Sequence, residues 1–160
     1  FHHLSGNNTN FYLPGYGAYW YESYPDGQVV TKIEGVDWSF SDKMFVCFIN
    51  DLETYSKWEY SGESELLMLE YKNGILSYDN MMQFYLDNMM RDRVIVSISS
   101  FFQQLLRICK NDKSLKDISN AFGKDKLIQV TKENILNNIP SSLANVFVQE
   151  KYFCIRNCGK

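Results

Sequence analysis

The run Glu65-Leu66-Leu67-Met68-Leu69-Glu70-Tyr71, followed by Lys72-Asn73-Gly74 and then Ile75 to Tyr78, constrains the fold more than any other part of the chain. Asn-Gly supplies the positive φ angles of a two-residue type I′ turn, whose twist matches that of the strands it joins. The reading is a hairpin over 65–78. Its first arm, Leu66 to Leu69, is continuously apolar, as in a strand that is central or covered on both faces.

A second hairpin is read over 18–34. The aromatic run Ala18-Tyr19-Trp20-Tyr21-Glu22 favours a strand, Pro25-Asp26-Gly27 favours a turn, and Gln28 to Glu34 alternates as a returning strand. Ser41-Asp42 is a helix cap. Behind it Phe45, Phe48, Ile49, Leu52, Tyr55 and Trp58 recur at mostly three- and four-residue steps, which predicts an amphipathic helix over 42–58 with its aromatic face on the core. Asp79-Asn80 can cap another helix over 80–90. The spacing of Ile98, Phe101, Phe102, Leu105, Leu106 and Cys109 predicts a helix over 94–110, although Val94-Ile95-Val96 is β-branched and blurs its start. A short helix over 114–122 stops at Gly123, a strand is read over 127–130, and a helix over 132–139 ends before Pro140. Residues 143–156 fit helix and strand equally. These elements predict an α+β fold, a small antiparallel sheet of hairpins packed against several amphipathic helices. Residues 1–10 read as a flexible lead-in and 11–160 as a single compact domain.

Charge is divided along the chain. Residues 1–80 carry four Lys against twelve Asp/Glu, a balance of −8; residues 81–160 carry twelve Lys/Arg against seven Asp/Glu, a balance of +5. Such asymmetry can steer a charged partner, or the charges can intermix once the chain folds. Lys110, Lys113, Lys116, Lys124, Lys126 and Lys132 are interleaved with Asp112, Asp117 and Asp125 in a chain of net charge −3. Counterion release would then contribute little, which argues against a nucleic-acid partner. No apolar run reaches the roughly 18–20 residues of a membrane span, so a soluble chain is expected. It begins at Phe1 rather than Met, so a preceding segment is expected. Free thiols would fit the cytoplasm, and a removed secretion signal an oxidising compartment. In the latter case Asn7-Asn8-Thr9 would be a glycosylation sequon.

The common catalytic constellations are missing. No histidine follows His3, which removes most Ser-His and Cys-His arrangements and histidine metal sites. No phosphate-binding glycine loop and no nucleophile-elbow motif is present. Cys47 and Cys109 lie in apolar stretches and read as core residues, whereas Cys154 and Cys158 lack the further soft ligands of a zinc site. No cofactor or metal is implied. Glu70-Tyr71-Lys72, at the end of an apolar strand, resembles the metal-binding half of the PD-(D/E)xK nucleases. That resemblance implies Glu70 as a Mg²⁺ ligand and Lys72 as the residue activating water, with Asp51 or Glu65 as second carboxylate. The plainer reading of Glu70 and Lys72 is a solvent-facing pair on a hairpin edge.

Aromatic residues point elsewhere. Of 25 rings, 15 fall in the first 60 residues, and strand alternation cannot bury all of Tyr12, Tyr16, Tyr19, Trp20, Tyr21 and Tyr24 on one face. Exposed Tyr and Trp give contact area at low entropic cost, and Met81, Met82, Met89 and Met90 are either adaptable contacts or core filling. The chain therefore reads as a non-enzymatic protein-interaction domain, such as an effector or an immunity-type inhibitor of a basic toxin. Its contact residues would be Tyr16, Tyr19, Trp20, Tyr21, Tyr24, Met81 and Met82. The alternatives are a metal-dependent hydrolase using Glu70 and Lys72, and a small-ligand binder lined by the N-terminal aromatics.

Overall fold

The Asn73-Gly74 turn forms as its chemistry requires, with φ of 53° and 82°. It joins β4 (Glu65–Lys72) to β5 (Ile75–Tyr85) as an antiparallel pair. The computed structural model describes residues 9–18, 26–111, 114, 115, 118 and 151–156. Two small antiparallel three-stranded sheets with a few helices make the fold α+β. The chain divides into two compact units, residues 11–60 and residues 61 onward.

In the second unit β5 is the middle strand, flanked by β4 and by β6 (Phe153–Arg156). The helix expected over 80–90 is mostly strand: β5 runs to Tyr85, and only α2 (Leu86–Arg91) is helical. Methionine's helix propensity amounts to tenths of a kcal/mol, and pairing in a covered central strand outweighs it. Asp79-Asn80 is not a cap but part of a bulge. Between the pairs Glu70↔Ser77 and Leu69↔Met81, β4 advances one residue while β5 advances four, which leaves Tyr78, Asp79 and Asn80 unopposed.

Beyond the bulge, Met68 faces Met82 and Leu66 faces Phe84. This sheet face meets α3 (Ile98–Asn111) through Phe101, Leu105 and Cys109, at the i, i+4, i+8 spacing of a single helix face. The Phe84 ring lies 5.3 Å from Phe101 and 5.9 Å from Phe153, and all three are buried. Leu115 and Ile118 join this core, and the Ile118 amide bonds the Ser114 carbonyl at 3.0 Å. They are the described part of the helix expected over 114–122. The elements expected at 127–130 and 132–139 lie outside the described residues, and of 143–156 the last four described residues form a strand.

α3 begins at Ile98 rather than at 94. Arg93 is left-handed (φ 57°) and ends α2, after which the amides of Val94 and Ile95 bond the Met89 carbonyl at 2.8 and 3.3 Å. Val94 and Ile95 bury their side chains as a non-helical bridge, and the Ser97 hydroxyl accepts the Ser100 amide at 3.1 Å to start α3.

In the 11–60 unit, β3 (Val36–Phe40) lies between β1 (Tyr16–Gly17) and β2 (Gln28–Ile33). The hairpin seen here is β2–β3, turned by Glu34-Gly35 at φ of 51° and 81°. For the hairpin expected over 18–34, the second arm is β2, while residues 19–25 lie outside the described ones. α1 (Asp42–Tyr55) follows, three residues shorter than expected. Ser56 closes it, with amide and hydroxyl both donating to the Leu52 carbonyl, at 2.9 and 2.7 Å.

Candidate functional site

The 11–60 unit has few large buried side chains: among its described residues only Leu52 and Trp58 are buried hydrophobics. Phe45 and Phe48, expected to face the core from α1, are only half-buried and instead carry tyrosines. Being three apart, they share a helix face. The Tyr12 ring sits 5.4 Å from Phe48, and the Tyr60 ring meets Phe45 edge-on at 5.6 Å. Tyr16 packs at 4.7 Å on its cross-strand partner Phe40, whose ring is 5.8 Å from Phe45. These spacings are those of favourable aromatic pairs. Three tyrosines are thus held on a platform of phenylalanines while 60%, 42% and 38% of Tyr12, Tyr16 and Tyr60 stay open to solvent. Leu13, Val46 and Tyr55 are exposed in the same unit.

Local backbone chemistry places these rings. Gly15 has φ of 79°, and a Cβ there would fall 2.6 Å from Phe40 Cε2. Only glycine lets the Tyr12–Tyr16 turn approach β3 this closely. The turn is closed by the Tyr16 amide on the Leu13 carbonyl at 3.1 Å, and the Ser41 amide reaches the Gly15 carbonyl at 2.8 Å. Tyr60 is fixed through its amide, which donates to Glu53 Oε1 at 2.9 Å.

The unit is acidic, with three Lys against eight Asp/Glu over residues 11–60, a balance of −5. Asp42, Asp51 and Glu59 are exposed. Asp26 has a structural task that its sequence position conceals. Its Oδ2 accepts the Lys43 amide at 3.1 Å and the Ser41 hydroxyl at 2.9 Å, while Ser41 Oγ accepts the Met44 amide at 3.2 Å. Two side chains therefore cap α1. The Lys43 amide, with help from Ser41, holds the Asp26 carboxyl below its ordinary value, so the charge stays at the positive end of the helix.

Of the contact residues expected from sequence, Tyr16 lies on this platform. Tyr19, Trp20, Tyr21 and Tyr24 lie outside the described residues. Met81 and Met82 are not surface contacts: at 1% and 0% exposure they are sealed into the middle strand β5. Sequence reasoning placed Tyr12 in the aromatic cluster but not among the contact residues, and it missed Tyr60 altogether. The signal was the i, i+3 pair Phe45 and Phe48, which was read as core.

Glu70 and Lys72 pair with each other at the hairpin end, 2.5 Å apart, with the Lys72 side chain largely exposed. Glu70 Oε1 also accepts the Leu115 amide at 3.4 Å. The Lys72 ammonium, then the Leu115 amide, hold the Glu70 carboxyl below its ordinary value. Glu65, one of the two second carboxylates named by the nuclease resemblance, is five residues back along β4, roughly 16 Å at about 3.3 Å per residue. It accepts Gln83 Nε2 at 2.9 Å and the Ser61 hydroxyl. Among the described residues no group of three His, Cys, Asp or Glu side chains is placed to hold a metal ion.

Among the described residues the densest charged cluster surrounds Asp92. Its Oδ2 accepts Lys151 Nζ at 2.6 Å and the Tyr152 hydroxyl at 3.0 Å, and Arg91 Nε lies 3.7 Å from Oδ1. Asn88 Nδ2 donates to the Lys151 carbonyl at 3.1 Å. The Lys151 ammonium chiefly lowers the Asp92 carboxyl, and Asp92 in turn raises Lys151. Burial first, then Asp92, pushes the Tyr152 phenol up. The cluster fastens the entry of β6 to the end of α2. Across the sheet Gln83 also meets Cys154, whose Sγ lies 3.7 Å from Oε1 and 3.6 Å from the Tyr85 hydroxyl. Cys109 is buried as expected, Cys47 is exposed rather than buried, and Cys158 lies outside the described residues.

No helix among the described residues is long and apolar enough to cross a membrane. The chain matches no family model, no curated protein and no solved structure.

Proposed function

We propose that the chain is a non-enzymatic protein-interaction domain whose 11–60 unit meets a basic protein surface. The observation that carries this reading is the platform of Phe40, Phe45 and Phe48, which holds Tyr12, Tyr16 and Tyr60 open to solvent on a unit of charge −5. Rings already packed on one side lose little freedom on binding, and tyrosine is enriched among residues that dominate interface energy. The unit's excess of carboxylates raises the encounter rate with a basic partner and repels phosphate backbones. An inhibitor that covers a basic protein would use such a face. A small-ligand site would instead need the rings to close a pocket, whereas these three tyrosines face outward.

The test is affinity capture from the native source by wild type and by the triple variant Tyr12→Ser, Tyr16→Ser, Tyr60→Ser. Circular dichroism establishes that the variant is folded. Loss of the captured protein with the triple variant supports the surface, and equal capture by both overturns it.

A further inference from the structure

We draw no further inference here: the strongest candidate, the solvent-exposed strand β2 at the edge of the described three-stranded sheet with Val29, Val30 and Ile33 half open, is an apolar edge for which nothing in the structure shows what covers it.

Discussion

Replacing Asp92 with alanine removes the acceptor on which the Tyr152 hydroxyl and the Lys151 ammonium converge. Tyr152 is only 2% exposed, so its hydroxyl would lose an acceptor that water cannot easily replace. Such an orphaned buried donor costs about 1–3 kcal/mol. The Lys151 contact is half open to solvent and adds about 0–1 kcal/mol. The expected destabilisation is therefore about 1–4 kcal/mol, a drop of about 0.5–2 M in the urea midpoint at a denaturant dependence of about 2 kcal/mol/M. Far-UV circular dichroism is the proper probe, because Trp20, Trp38 and Trp58 all lie in the other unit and their fluorescence reports on it. Tyr152→Phe keeps the ring and removes the donor, so in that background Asp92→Ala should cost less by the orphaned-donor share, about 1–3 kcal/mol. The pH dependence has a definite sign. Asp92 is depressed in the fold, so its stabilisation is complete above the unfolded carboxylate value near pH 4 and fades as pH falls through the lower folded value. Lys151 is raised, so its share is complete below its unfolded value near pH 10 and is lost as pH rises through the higher folded one. The gap between wild type and Asp92→Asn should thus close in acid. An Asp92→Ala variant within about 0.5 kcal/mol of wild type, or a gap that stays constant down to pH 2, would refute the reasoning, since surface charges commonly count for no more than that.

Met82→Ala should cost about 2–5 kcal/mol in thermal or urea unfolding, as for a methionine lost from a packed core. A surface contact would give almost no loss. Gly15→Ala forces a Cβ against Phe40 at a positive φ and should cost about 1–3 kcal/mol, read as an earlier tryptophan fluorescence transition. No shift would mean that the Tyr12–Tyr16 turn does not approach β3 so closely. Ser41→Ala removes one of the two caps of α1 and should cost about 1 kcal/mol by the same fluorescence measurement. An unchanged transition would show that Asp26 alone satisfies the helix start.

Local chemistry was legible and partner choice was not. Asn73-Gly74 announced its hairpin because two adjacent positive φ angles demand few other residues. The spacing of Phe45, Phe48 and Leu52 announced α1, and Phe101, Leu105 and Cys109 announced α3, because a helix face repeats within a few residues. The extension of β5 through Met81 to Tyr85 was hidden. It depends on an eight-residue β4 needing an equally long partner once three residues bulge out. Glu34-Gly35 was overlooked beside the more conspicuous Pro25-Asp26-Gly27, although both its residues take positive φ. Asp26 caps a helix 16 residues later in the chain, and Tyr152 reaches Asp92 across 60, distances at which no periodicity operates. The tyrosine surface was half legible. Aromatic excess indicated that some rings must be exposed, but only the placement of Phe45 and Phe48 decides which rings the helix supports.

The central claim is tested most directly by the affinity and association rate of the captured partner for wild type and for the Tyr12, Tyr16 and Tyr60 triple serine variant, by surface plasmon resonance at two salt concentrations. A ring that contributes more than about 1 kcal/mol is an ordinary expectation at the centre of an interface. The variant should therefore bind about 100-fold more weakly or worse, and wild-type association should slow as salt rises. An unchanged dissociation constant in a folded variant, with no salt dependence of association, would contradict the account.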